Sequence, residues 1–85
     1  MRGFVSSPGY RAVALVIARA RRDAGVSQRE LAKRIGTLPS MIAKIETGAR
    51  RMDVIELIEI ARALSIAPEA LTRQIDAAVD MTRHE

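Results

Sequence analysis

Apolar residues recur at three- and four-residue steps from Tyr10 onward. Tyr10, Val13, Ile17, Ala20 and Ala24 make one stripe of an amphipathic helix, and Gly25 stands where such a helix stops. Ser27-Gln28-Arg29-Glu30 has the spacing of a capping box, in which the Ser hydroxyl takes one orphan N–H and the Glu carboxylate reaches back to another. A short second helix follows with Leu31, Ala32 and Ile35 inward, and Gly36 ends it. A third begins near Leu38 to Pro39 and runs to Thr47, where Gly48 closes it. Asp53 is able to cap a fourth, whose stripe is Val54, Leu57, Ile58, Ala61 and Leu64, flanked by Ile55 and Ile60. Pro68 suits the first turn of a fifth, with Leu71, Ile75 and Ala78 inward. No strand-like alternation and no internal repeat appears. The pattern predicts an all-α fold of five helices: one domain over residues 10–80, a flexible arm over 1–9 with turn residues Ser6 to Gly9, and a tail over 81–85.

Composition narrows this picture. At 85 residues there is room for one domain, and a domain this short is often marginal without a partner copy. Only Phe4 and Tyr10 are aromatic, so the core must be built from Leu, Ile, Val, Ala and Met. Met41, Met52 and Met81 read as packing residues. Lys and Arg number 14 against 10 Asp and Glu, a formal charge of +4 that favours a polyanionic partner. Cysteine is absent, which excludes disulfides and thiolate chemistry. The apolar run Ala12 to Ala18 is short for a signal peptide and follows Pro8-Gly9 and Arg11 directly, and nothing approaches the ~20 apolar residues of a membrane span. The expectation is a cytoplasmic protein with no membrane contact.

The informative stretch runs from Ser27 to Arg51. Two short helices are joined by Gly36-Thr37-Leu38, a link that allows only a sharp corner. On the helix after the corner, Ile42, Ile45 and Glu46 share one face, while Ser40, Ala43, Lys44 and Thr47 share the other. Small residues let a helix sink into the major groove of DNA, and Lys can donate to guanine acceptors. Gln28 can donate to a phosphate at a helix N-terminus. Arg50 and Arg51 follow Gly48 and are expected to reach the neighbouring DNA backbone.

Val26 to Gly36, then Ser40 to Gly48, together with the phrase Arg51 to Leu64, closely resemble the phage-repressor and Cro-like helix-turn-helix family, often called XRE-like. The combination Ser-Gln-x-x-Leu-Ala, the Gly corner and Ile-Glu-x-Gly carries the likeness. The resemblance implies a compact five-helix, lambda-repressor-like domain. It further implies a transcriptional regulator, usually a repressor or autoregulator, bound as a homodimer to a palindromic operator in double-stranded DNA. Residues assigned to DNA are Gln28, Arg29, Thr37, Pro39, Ser40, Ala43, Lys44, Thr47, Arg50 and Arg51. By the same likeness Gln28 holds a phosphate and buttresses the recognition helix, Pro39, Ser40 and Lys44 occupy base-reading positions, and Thr47 a phosphate position. Arg21 and Glu46 match an ion pair between the first and third helices.

The sequence departs from the family at several points. Leu38 replaces the small polar cap before the third helix, Pro39 has no donor, Ala43 replaces a commonly polar residue, Ser65 replaces Gly, and Ala67 lacks a capping hydroxyl. Two other readings stay open: an antitoxin that also covers a toxin, and a protein-interaction module that has lost DNA binding. Either would bring in a protein partner. Arg19 and Arg22, Lys33 and Arg34, and the carboxylate pairs Glu56 with Glu59 and Asp76 with Asp80 read as solvated faces. His84 stands near the chain end without companions. No cofactor, metal set or catalytic constellation is expected. Leu15, opposite Val13 and Ile17, joins Ile55, Ile60, Val79 and Met81 in more apolar surface than five short helices hide, which points to self-association.

Overall fold

A computed structural model describes residues 7–82. The segments 1–6 and 83–85, with Phe4, His84 and most of the expected arm and tail, lie outside the described residues. Five helices follow in order: α1 (Pro8–Asp23), α2 (Gln28–Ile35), α3 (Pro39–Thr47), α4 (Val54–Ala63) and α5 (Pro68–Thr82). No strand occurs among the described residues.

α1 starts two residues before the apolar stripe. Ser7 caps it by accepting the Tyr10 N–H at 3.2 Å, and Pro8 takes the first helical position, where a missing N–H costs nothing. α1 lies against both α5 and α3. It therefore buries a wider face than the single stripe expected, including Ala12, Ala14, Val16 and Ala18. These small side chains let neighbouring helices approach closely. Leu15 points away and is exposed.

Ile17, Leu31, Ile42, Ile45, Ile60 and Leu71, at least one from every helix, form the fully buried centre. Burying a side chain of this size contributes about 1.5–3 kcal/mol. The frame of α4 differs from the sequence reading. Ile60, expected on the flank, is wholly enclosed, whereas Val54, expected inward, is 69% exposed. The helix is apolar at so many positions that two stripes overlap. The packed one is Leu57, Ile60, Ala61 and Leu64, and Val54, the first residue of the helix, lies outside it. Met81, expected to pack, is exposed on the last turn of α5.

The ends of α1 to α4 close in one way. At each, an N–H bonds back five residues and the preceding N–H back three, as in Thr37 to the Ala32 carbonyl at 2.8 Å and Gly36 to that of Lys33 at 3.3 Å. This closure needs a left-handed residue. Gly36 supplies it at the corner between α2 and α3 with φ 76°. After α4 the same position falls to Ser65, at φ 60°. Arg34, read as solvated, donates to the Ala63 carbonyl at 2.9 Å near that end and to Glu30 at 3.0 Å. The capping box expected at α2 is half made. Ser27 accepts the Glu30 N–H at 3.0 Å, but the Glu30 carboxylate accepts from Arg34. The complete box is at α4, where Asp53 and Glu56 each accept the other's N–H.

Candidate nucleic-acid interface

α2 and α3 meet at the Gly36 corner and pack on each other. α3 turns Ile42 and Ile45 into the core and leaves Pro39, Ser40, Lys44 and Thr47 exposed. Ala43 and Thr37 are half-buried at the edge of that face, and Arg29 is exposed on α2. Leu38 precedes α3 without a side-chain cap, and Pro39 opens the helix. The helix is held by other means.

Glu46 is the brace. Its carboxylate accepts Arg21 Nε at 2.6 Å, Arg21 Nη2 at 3.0 Å and Gln28 Nε2 at 2.9 Å. The Arg21 side chain is 11% exposed and that of Glu46 only 5%. Arg21 also donates through Nη1 to the Val26 carbonyl at 2.8 Å. One carboxylate thus ties α3 to α1 and to the first turn of α2. Glu46 holds the Arg21 guanidinium above its ordinary pKa, outweighing the cost of burial. A carboxylate only accepts, so Gln28 turns its NH2 toward Glu46. Of the two roles expected for Gln28, this contact is the buttressing one.

A second cluster shapes the loop between α3 and α4. Arg50, expected at the DNA backbone, is engaged within the protein. Its guanidinium grips Glu56 with two bonds, 2.9 Å to Oε1 and 2.8 Å to Oε2, and donates to the Arg51 carbonyl at 2.7 Å. The pairing raises the Arg50 pKa and lowers that of Glu56. Glu56, read as a solvated carboxylate, is thereby both cap and counter-ion. From α1, the Tyr10 hydroxyl donates to the Arg50 carbonyl at 3.3 Å and accepts the Met52 N–H. Burial pushes the Tyr10 pKa up, against the lowering pull of the Met52 N–H and the two arginines, so the phenol is neutral. The exposed Arg51 lies over the same ring, its Cζ 5.7 Å from the centroid.

Sequence reasoning placed Tyr10 in a packing stripe and missed both it and Glu56. A signal for Tyr10 was present: a partly buried phenol needs a partner for its hydroxyl, and the rest of its stripe is aliphatic. Glu56 gave less, because Arg50 lies across a loop from it, where helical spacing says nothing. Among the described residues no group of His, Cys, Asp or Glu is placed to hold a metal, and no helix is long and apolar enough to cross a membrane.

The helix-turn-helix family profile matches residues 17–71, which spans α2, α3 and α4 and reaches into α1 and α5. A solved XRE-family-like protein from Pseudomonas syringae pv. tomato is 34% identical. The likeness covers 89% of this chain and 93% of that one, with a TM-score of 0.76. Two structures of the clp gene regulator ClgR from Corynebacterium glutamicum are 20% and 21% identical, with TM-scores of 0.80 and 0.75. They cover 89% and 84% of this chain, and 81% and 91% of their own, and show a shared fold. No curated protein sequence matches the chain.

Proposed function

The chain belongs to the XRE-like helix-turn-helix family of DNA-binding transcriptional regulators, and from that premise we propose that it represses by occupying a palindromic operator as a homodimer. The observation that carries the DNA reading is the braced α3. Its inner face is locked by Ile42, Ile45 and the Arg21–Glu46–Gln28 cluster, and its outer face is small, polar and exposed. A rigid helix of that kind enters the major groove without ordering itself first. The net charge of +4 supports a polyanionic partner.

Within this reading Ser40 and Lys44 meet base edges, and Pro39 and Ala43 offer apolar contact to a thymine methyl. Thr37, Thr47, Arg29 and Arg51 meet the backbone, while Gln28 and Arg50 act from behind through Glu46 and Glu56. Lys44→Ala and Arg51→Ala test the assignment on a duplex selected from a random pool. Loss of Lys44 lowers affinity for the selected duplex by about 1–3 kcal/mol and relaxes one base position of each half-site. Loss of Arg51 weakens all duplexes alike and lowers the salt slope by about one per subunit. The reverse pattern means that α3 enters the groove at another angle. A chain that binds no duplex at low salt refutes the function.

A further inference from the structure

The Tyr10 hydroxyl bridges two backbone groups that flank a single residue. It accepts the Met52 N–H and donates to the Arg50 carbonyl, so one oxygen fixes the chain on both sides of Arg51. The ring of the same side chain lies beneath the Arg51 guanidinium, with 5.7 Å from Cζ to the centroid, inside the ~6 Å over which a ring face attracts a cation. Glu56 closes the rest of the loop through Arg50 and the Asp53 N–H. Tyr10 itself comes from the first turn of α1, forty residues away from Arg50 in sequence.

The Tyr10 hydroxyl and the two backbone groups it bridges are only partly buried, so water is an alternative partner for them. A phenol in place of water gives the loop one shape and its arginine one direction. We propose that Tyr10 is a positioning residue for DNA, holding the loop and Arg51 in the pose that receives a backbone phosphate. This rests on the DNA-binding reading above and adds to it a residue on α1 that touches no base. The gain comes from preorganisation. A long side chain ordered before binding does not lose that freedom on binding, a difference of about three- to tenfold in affinity for each subunit engaged.

The experiment is a double-mutant cycle on Tyr10→Phe and Arg51→Ala. Phe keeps the ring and its packing and removes only the bridging hydroxyl. Binding to a random duplex is measured across a salt series, well below the melting temperature of each variant as read by circular dichroism. Tyr10→Phe is expected to weaken binding about three- to tenfold per subunit, and to change it less than about twofold when Arg51 is already Ala. In phosphate-ethylation interference, Tyr10→Phe and Arg51→Ala lose sensitivity at the same phosphates. Equal binding by Tyr10→Phe and the parent overturns the proposal, as does the full loss persisting in the Arg51→Ala background. A parent chain that ignores duplex DNA removes the DNA reading and this inference together. A parent that binds while Tyr10→Phe matches it removes the positioning role alone.

Discussion

Glu46 receives three hydrogen bonds from two other helices while nearly closed off from water. A buried pair of this kind adds little net stability, because desolvating both charges offsets much of their attraction. Removing one partner is another matter. Glu46→Ala leaves the Arg21 guanidinium enclosed with only the Val26 carbonyl to accept from it, and costs about 3–5 kcal/mol. Glu59→Ala, at an exposed site on α4, costs roughly 0.5 kcal/mol. Thermal melts of the two variants beside Arg21→Ala check this. Equal midpoints for Glu46→Ala and Glu59→Ala would show that the cluster carries no strain when opened.

The elements differ mainly in how they end. α1, α2 and α3 place Gly at the left-handed position, and α4 places Ser65 there at φ 60°. A side chain in that region costs roughly 1–2 kcal/mol, part of which Gly gives back through a freer unfolded chain. Ser65→Gly should therefore stabilise by about 1 kcal/mol and raise the melting point by about 4–8 °C. An unchanged midpoint would mean that Ser65 is compensated locally. The start of α4 gives a pH dependence. Arg50 holds the folded Glu56 pKa below its ordinary value of 4.5, so near and below that pH the unfolded chain takes up its proton first. This stability is complete above 4.5 and is lost as pH falls toward the depressed folded value. In melts from neutral to acid pH, the advantage of the parent over Glu56→Gln should shrink below 4.5. A constant difference would place the main effect of Glu56 in its shape and not its charge. These elements also show what sequence conveys. The five helices and the Gly36 corner follow from period and caps, which are local. The frame of α4 does not, since Val54, Leu57, Ile58 and Ile60 satisfy two stripes and only packing against neighbouring helices selects one. Nor does the role of Arg50, whose partner is set by loop geometry.

At the scale of the molecule, apart from Leu38 at the start of α3, the exposed large apolar side chains lie off the recognition helix: Leu15 on α1, Val54 and Ile55 on α4, and Met81 on α5. Leu15 and Met81 are exposed along a groove between α1 and α5 of about 400 Å³. Exposed apolar side chains in a domain this small support the proposed dimer. Two copies related by a two-fold axis would set their α3 helices about 34 Å apart, one turn of DNA, and select an imperfect palindrome. Sedimentation equilibrium should then give twice the chain mass, and the melting point should rise with protein concentration. A monomer that prefers single half-sites would contradict this. The proposed dimer rests, at the sequence level, only on an excess of apolar residues, because no periodicity records which surface a second copy would cover.

The seat of Tyr10 has an optical consequence. The chain holds one tyrosine and no tryptophan, so emission excited at wavelengths longer than phenylalanine absorbs comes from a single ring. That ring sits below Arg51 and hydrogen-bonds to the loop through its hydroxyl. A phosphate that takes hold of Arg51 alters the charge above the ring and the polarity around its oxygen. Under the proposed DNA role its emission should report on occupancy of this loop, with no added label needed to watch it there.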